Sequence, residues 1–185
     1  MSFLRRISIT LPIIFLLILG CISVSCETNE LSITLNQSDE VTIYSTVIRD
    51  IYLENAIYDS SHQYHALYIV RYTDDTVGDP KTKPSASILL SETMQSEITI
   101  MLQDLPTEVV WVNSSDEVEK NSGREVLDGG IIITIGNIIL QEDSSVQVPG
   151  SHFMSPTGGG GETYVLEFRD GIWEITGNTG TIWIS

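Results

Sequence analysis

Cysteine is almost missing from this chain: Cys21 and Cys26 are its only two, and both precede the body of the sequence. A disulfide scaffold is thereby excluded, and the fold has to stand on its core. Basic residues are also scarce, nine against 25 acidic ones in 185 residues. With no basic stripe to neutralise phosphates, nucleic acid is not an expected partner. A Gly-x-Ser-x-Gly elbow is absent, and Ser151 beside His152 is adjacency rather than a triad. The run Gly158-Gly159-Gly160-Gly161 has no Lys-Ser or Lys-Thr after it and leads into a strand pattern. A Walker loop is excluded, and the run reads as a mobile loop between strands.

What is present begins at the N-terminus. Arg5 and Arg6 precede an apolar stretch from Ile7 to Leu19, which ends on Gly20 and Cys21. About 13 apolar residues suit a signal peptide and fall short of the roughly 20 that span a bilayer. A retained anchor, the competing reading, would have to continue through Gly20 and Cys21 to Val24. The residues Ile18-Leu19-Gly20-Cys21 resemble the lipobox of bacterial lipoproteins, with Ile where Leu is favoured. That resemblance covers the first 21 residues only. It implies a diacylglyceryl group on the Cys21 sulfur, removal of residues 1–20, and an extracytoplasmic protein held on the cell membrane or outer membrane. Ser23-Val24-Ser25-Cys26 is a competing site that puts Ser where the aliphatic residue belongs.

Acylation would bring the lipid bilayer in as a partner through Cys21. Each buried methylene contributes about 0.8 kcal/mol, so two or three chains hold stably. The lipid would work against the protein's own charge, because loss of Arg5 and Arg6 leaves seven basic residues against 25 acidic ones. Anionic headgroups repel such a surface.

Residues 21–40 are polar and suit a tether, although Leu31-Ser32-Ile33-Thr34-Leu35 alternates like an edge strand. Residues 41–185 are expected to form one domain. A first helix is predicted from a Ser38 cap, with Asp39 and Glu40 in its first turn and Val41, Tyr44, Val47, Ile48, Ile51 and Tyr52 along its buried stripe. The run Ala66 to Tyr72 reads as a strand. A second helix starts at Ser91 and Glu92, presents Met94, Ile98, Met101, Leu102 and Leu105, and is ended by Pro106. Strand patterns follow at Val109 to Val112, Ile131 to Ile135, Ile138 to Leu140, Val146 to Val148, Tyr164 to Phe168, Ile172 to Ile175 and Thr181 to Ile184.

Of these, Ile131 to Ile135 is apolar on both faces and reads as a central strand. Gly136 marks a bulge or bend beside it. Glu142-Asp143-Ser144 and Asp170-Gly171 mark hairpin turns. The expected fold is α+β: two helices on one face of a curved, mostly antiparallel sheet of five to seven strands. That order resembles, in shape alone, the cone folds of nuclear transport factor 2-like and cystatin-like proteins, and a likeness of shape transfers no active residue.

The candidate site residues beyond Cys21 are few. His62, His65 and His152 are the weak candidates for a metal, which would need all three or a loop aspartate as third ligand. The expectation is no metal and no cofactor. Asp74, Asp75 and Asp79 lack the spacing of a calcium loop and read as a solvated turn. The functional expectation is a membrane-anchored extracytoplasmic lipoprotein serving as a non-catalytic binding or interaction module of the cell envelope. An envelope hydrolase assembled from scattered His and Asp residues is the alternative.

Overall fold

The computed structural model describes residues 34–58 and 64–185. The lipobox, Cys21, Cys26 and His62 lie outside the described residues.

The first helix, α1 (Gln37–Tyr58), opens two residues earlier than the sequence suggests. Its cap is Asn36, not Ser38. The Asn36 side-chain oxygen accepts from the Ser38 and Asp39 amides at 2.8 and 3.1 Å, and the Asn36 amide donates back to Asp39 at 3.1 Å. This reciprocal pairing satisfies amide groups that the first helical turn leaves without partners. All six stripe residues from Val41 to Tyr52 are buried. Helix α2 (Glu92–Met101) is capped by Ser91, which accepts from the Met94 amide at 3.2 Å. Ile98, Leu102 and Leu105 are buried as expected. Met101 is not: it is 46% exposed, because it lies at the helix end where the chain turns away. Arg49 of α1 bridges the helices, donating to both Asp104 carboxylate oxygens and to the Met101 carbonyl.

Seven strands form one open sheet: β1 (Ala66–Val70), β2 (Glu108–Val112), β3 (Ile131–Ile135), β4 (Ile139–Leu140), β5 (Val146–Ser155), β6 (Gly158–Arg169) and β7 (Ile172–Ile184). Their order is β2-β1-β3-β5-β6-β7, with β4 also paired to β5. β1 runs parallel to β2 and β3, and every other pairing is antiparallel. The architecture is therefore α+β with a mostly antiparallel sheet, as expected. Asp170 and Gly171 both have positive φ, 51° and 90°, the backbone of a two-residue hairpin turn whose twist matches the strands.

The central strands are covered on both faces, by different means, while most of β7 is exposed. Helices α1 and α2 pack against Leu67, Ile69, Ile133, Val148, Tyr164 and Leu166 on one face. The other face carries a smaller cluster of Val70, Val112 and Ile132 under Val118 and Val126. Those last two belong to residues 113–130, which arch across the sheet without a regular period. A second cover is the turn around a 3-10 helix, Asp75–Val77. Its Asp75 is buried and accepts from the Asn137 amide at 2.6 Å and from Asn137 Nδ2 at 3.2 Å, and Ser85 Oγ donates to it as well.

The Gly158–161 run is not a loop. It forms the first four residues of β6, paired to β5 with His152 opposite Gly160 and Ser151 opposite Gly161. Its conformation is set by neighbours on both sides, β5 and β7. Ile172 to Ile175 and Thr181 to Ile184 are likewise two ends of a single strand, β7.

Candidate functional site

A strand made of four glycines offers no side chains to either face of the sheet, and its neighbours move into the space. Cross-strand partners share a face. His152, opposite Ile133 and Gly160, therefore lies on the helix-covered face, while Ser151, opposite Thr134 and Gly161, lies on the other. A Cβ added to Gly160 would stand 3.1 Å from His152 Cε1, so the imidazole lies across bare backbone. A Cβ on Gly161 would stand 2.2 Å from the Val77 carbonyl oxygen and 2.6 Å from Trp183 Nε1. The Trp183 indole thus covers Gly161, with its N–H donating to the Val77 carbonyl at 2.7 Å.

Two cavities flank this bare stretch. The larger, about 640 Å³, opens between the end of α1 and the β5–β6 hairpin. Tyr64, His152, Met154, Val126 and Asn55 line it beside Gly158 and Gly159. The Tyr64 hydroxyl is 2.8 Å from Met154 Sδ and 3.4 Å from the Asn55 carbonyl, and its ring meets Tyr52 edge-on at 5.7 Å. Burial holds the His152 imidazole below the ordinary histidine range. It is neutral at physiological pH and offers one donor and one acceptor. The smaller cavity, about 410 Å³, lies on the opposite face between the two covering segments.

His65 is exposed in the bend before β1, whereas His152 is half-buried in β5. Among the described residues no three His, Cys, Asp or Glu side chains stand together in a way that could hold a metal. The three loop aspartates also have separate local tasks. Asp74 accepts from the Thr76 amide, Asp79 from the Lys81 amide, and Asp75 holds Asn137. The expectation of a simply solvated turn fails for Asp75, because the two adjacent donors of Asn137 make a buried carboxylate favourable there. Ser151 and His152 alternate across the strand, so the hydroxyl and imidazole are not aligned as nucleophile and base.

A second acidic group does converge, although nothing in the spacing signals it. Asp50 and Glu54 of α1 face Glu162 of β6. Burial first and then Glu162 push the Asp50 carboxyl above its ordinary range, and burial, Asp50 and Glu162 do the same to Glu54. Glu162 accepts from Asn178 Nδ2 at 2.7 Å.

Sequence reasoning did not find Tyr64, Met154 or Trp183 as pocket residues. The one signal pointing to them was the glycine run itself, since a side-chain-free strand requires something else to cover it. The fold and the two cavities define a class: an α+β protein with a two-sided sheet and small-molecule-sized clefts at one bare strand. No family model matches the chain, and neither does any curated protein or solved structure. The likeness to cone folds remains an expectation of the sequence.

Proposed function

We propose that the protein is a lipid-tethered, extracytoplasmic binding module, anchored through an acylated Cys21 and using the cavity beside Tyr64 and His152. The observation that carries the binding half is the cavity itself: about 640 Å³, within the range of small-molecule sites, with a mainly apolar lining and a few polar groups. Its expected occupant is a small, largely apolar and uncharged molecule. Val126 and Met154 supply the apolar walls, and Asn55 and the neutral His152 imidazole supply hydrogen bonds. The address half is supported by Ile18-Leu19-Gly20-Cys21. No helix among the described residues is long and apolar enough to cross a membrane.

Two measurements test the two halves. Intact-mass analysis of the membrane-fraction protein should show acyl mass on the natural chain and none on Cys21→Ala. A native product free in the medium, or one still carrying residues 1–20, would sink the tether. For the cavity, a library of small uncharged ligands should yield thermal shifts that Thr157→Trp, which plugs the exposed rim, abolishes. Shifts that survive the plug would place binding elsewhere.

A further inference from the structure

The seven basic residues among 34–185 are few enough to account for individually. Arg49 and Arg169 are ion-paired, with Asp104 and Glu167. Lys120 and Arg124 form no ion pair with a described residue, and both line the smaller cavity. Arg71, Lys81 and Lys83 likewise form no ion pair with a described residue, so what sets Lys120 and Arg124 apart is that the two cations share one cleft.

The geometry around them is that of a prepared site. Lys120 Nζ donates to the carbonyls of Ser115 and Val118, which fixes the ammonium and leaves it a further N–H. Arg124 has φ 67°, a left-handed backbone that a long side chain adopts at a cost. The turn that imposes it is tied by Asn121, whose side-chain oxygen accepts from the Glu125 amide at 3.0 Å. On the floor, Thr134 and Ser151 stand opposite each other on β3 and β5, and neither hydroxyl bonds to another described residue. The Trp183 N–H is already committed to Val77, so its ring presents an apolar surface to the cleft. Phe153 and Ile132 add to that surface. Asp116, at the same cleft, is the one acidic side chain among its lining residues.

We propose that this cleft binds a small organic anion with a planar apolar group, its carboxylate or phosphate held by Arg124, Lys120 and the Ser151 and Thr134 hydroxyls, its ring against Trp183. Guanidinium and hydroxyl donors recognise such an anion through charge-assisted hydrogen bonds. The volume, about 410 Å³, suits a single-ring compound. The two cavities share His152 alone among their lining residues, and this proposal does not depend on the reading given to the cavity beside Tyr64.

Calorimetric titration of the detergent-solubilised full-length protein with phenyl phosphate, benzoate and uncharged phenol tests this. At least one of the two anions should saturate, with phenol at least tenfold weaker. The double variant Lys120→Gln/Arg124→Gln should weaken the anion at least tenfold, and Lys83→Gln, which removes a cation outside the cleft, should not. Arg124→Gly separates binding from folding: it should weaken the anion while its melting temperature holds or rises, since glycine relieves the left-handed backbone. Failure of both anions to saturate, equal binding of phenol, or unchanged affinity in the double variant would overturn the proposal. Thr157→Trp should leave this binding intact, so loss of one cavity's ligand is distinguishable from loss of the other's.

Discussion

At Gly161 one methyl group decides whether two segments can close on the sheet. A Cβ there would overlap the Val77 carbonyl oxygen, which belongs to backbone and cannot swing aside, and would displace the Trp183 indole from its hydrogen bond. Overpacking of this kind costs about 1–3 kcal/mol. Gly177 supplies the contrast, since it lies in β7 with nothing within 4 Å of an added Cβ. Gly161→Ala should therefore lower stability in urea by about 1–3 kcal/mol, while Gly177→Ala should stay within about 0.5 kcal/mol of the parent. Equal effects at the two sites would show that the glycine run does not serve close approach. Trp183 fluorescence should also shift in Gly161→Ala, because its indole can no longer hold the Val77 carbonyl.

Among the elements, α1 carries the sharpest test of how its start is fixed. Two candidates for the cap stand two residues apart. Asn36 makes the reciprocal bonds with Asp39, whereas the Ser38 carbonyl accepts from the Thr42 hydroxyl at 2.9 Å inside the helix. Loss of a working cap costs about 1 kcal/mol. Asn36→Ala should reduce unfolding free energy by that amount, and Ser38→Ala should leave it within about 0.5 kcal/mol. Reversal of the two values would return the cap to Ser38.

The same scale shows what side-chain pattern can and cannot carry. The α1 stripe, the all-apolar Ile131–Ile135 strand and the Asp170-Gly171 turn were legible because period and turn chemistry are recorded in the residues themselves. The opening of β6 was not, for glycine has no side chain to alternate, and its strand state is imposed by β5 and β7. Residues 113–130 were equally opaque. They cover the second face through Val118 and Val126 alone, with neither helical nor strand spacing, so Lys120 and Arg124 gave no hint of lining a common cleft. His152 was noticed in the sequence for its chemistry, but its place in the larger cavity depends on a register that only the folded sheet fixes.

For the molecule as a whole the dominant fact is acid: 25 carboxylates against nine cations, with Asp50, Glu54 and Glu162 brought together beneath α1. Asp50 and Glu54 have folded pKa values raised above their unfolded ones, so the folded state binds more protons through that window. Their contribution to stability therefore grows as pH falls from above the folded pKa toward the unfolded value near 4. His152 works in the opposite direction. Its folded pKa is depressed, so acidification from about 6.5 down through that folded value favours the unfolded chain. Glu162→Gln isolates the carboxylate part, because the glutamine oxygen can still accept from Asn178 while one of the repelling charges is gone. At pH 8 and low salt this variant should melt above the parent, by well under about 1 kcal/mol after allowance for solvent screening of these half-exposed groups. The advantage should shrink as pH is lowered through the window in which Asp50 and Glu54 take up protons. It should also shrink in 1 M salt, where the screening length falls to about 3 Å. Melting curves of the two proteins across pH 4–8 at both salt levels check this. A gap that persists unchanged at low pH and high salt would mean that the substitution acts through packing, and that the three carboxylates do not repel one another in the folded chain.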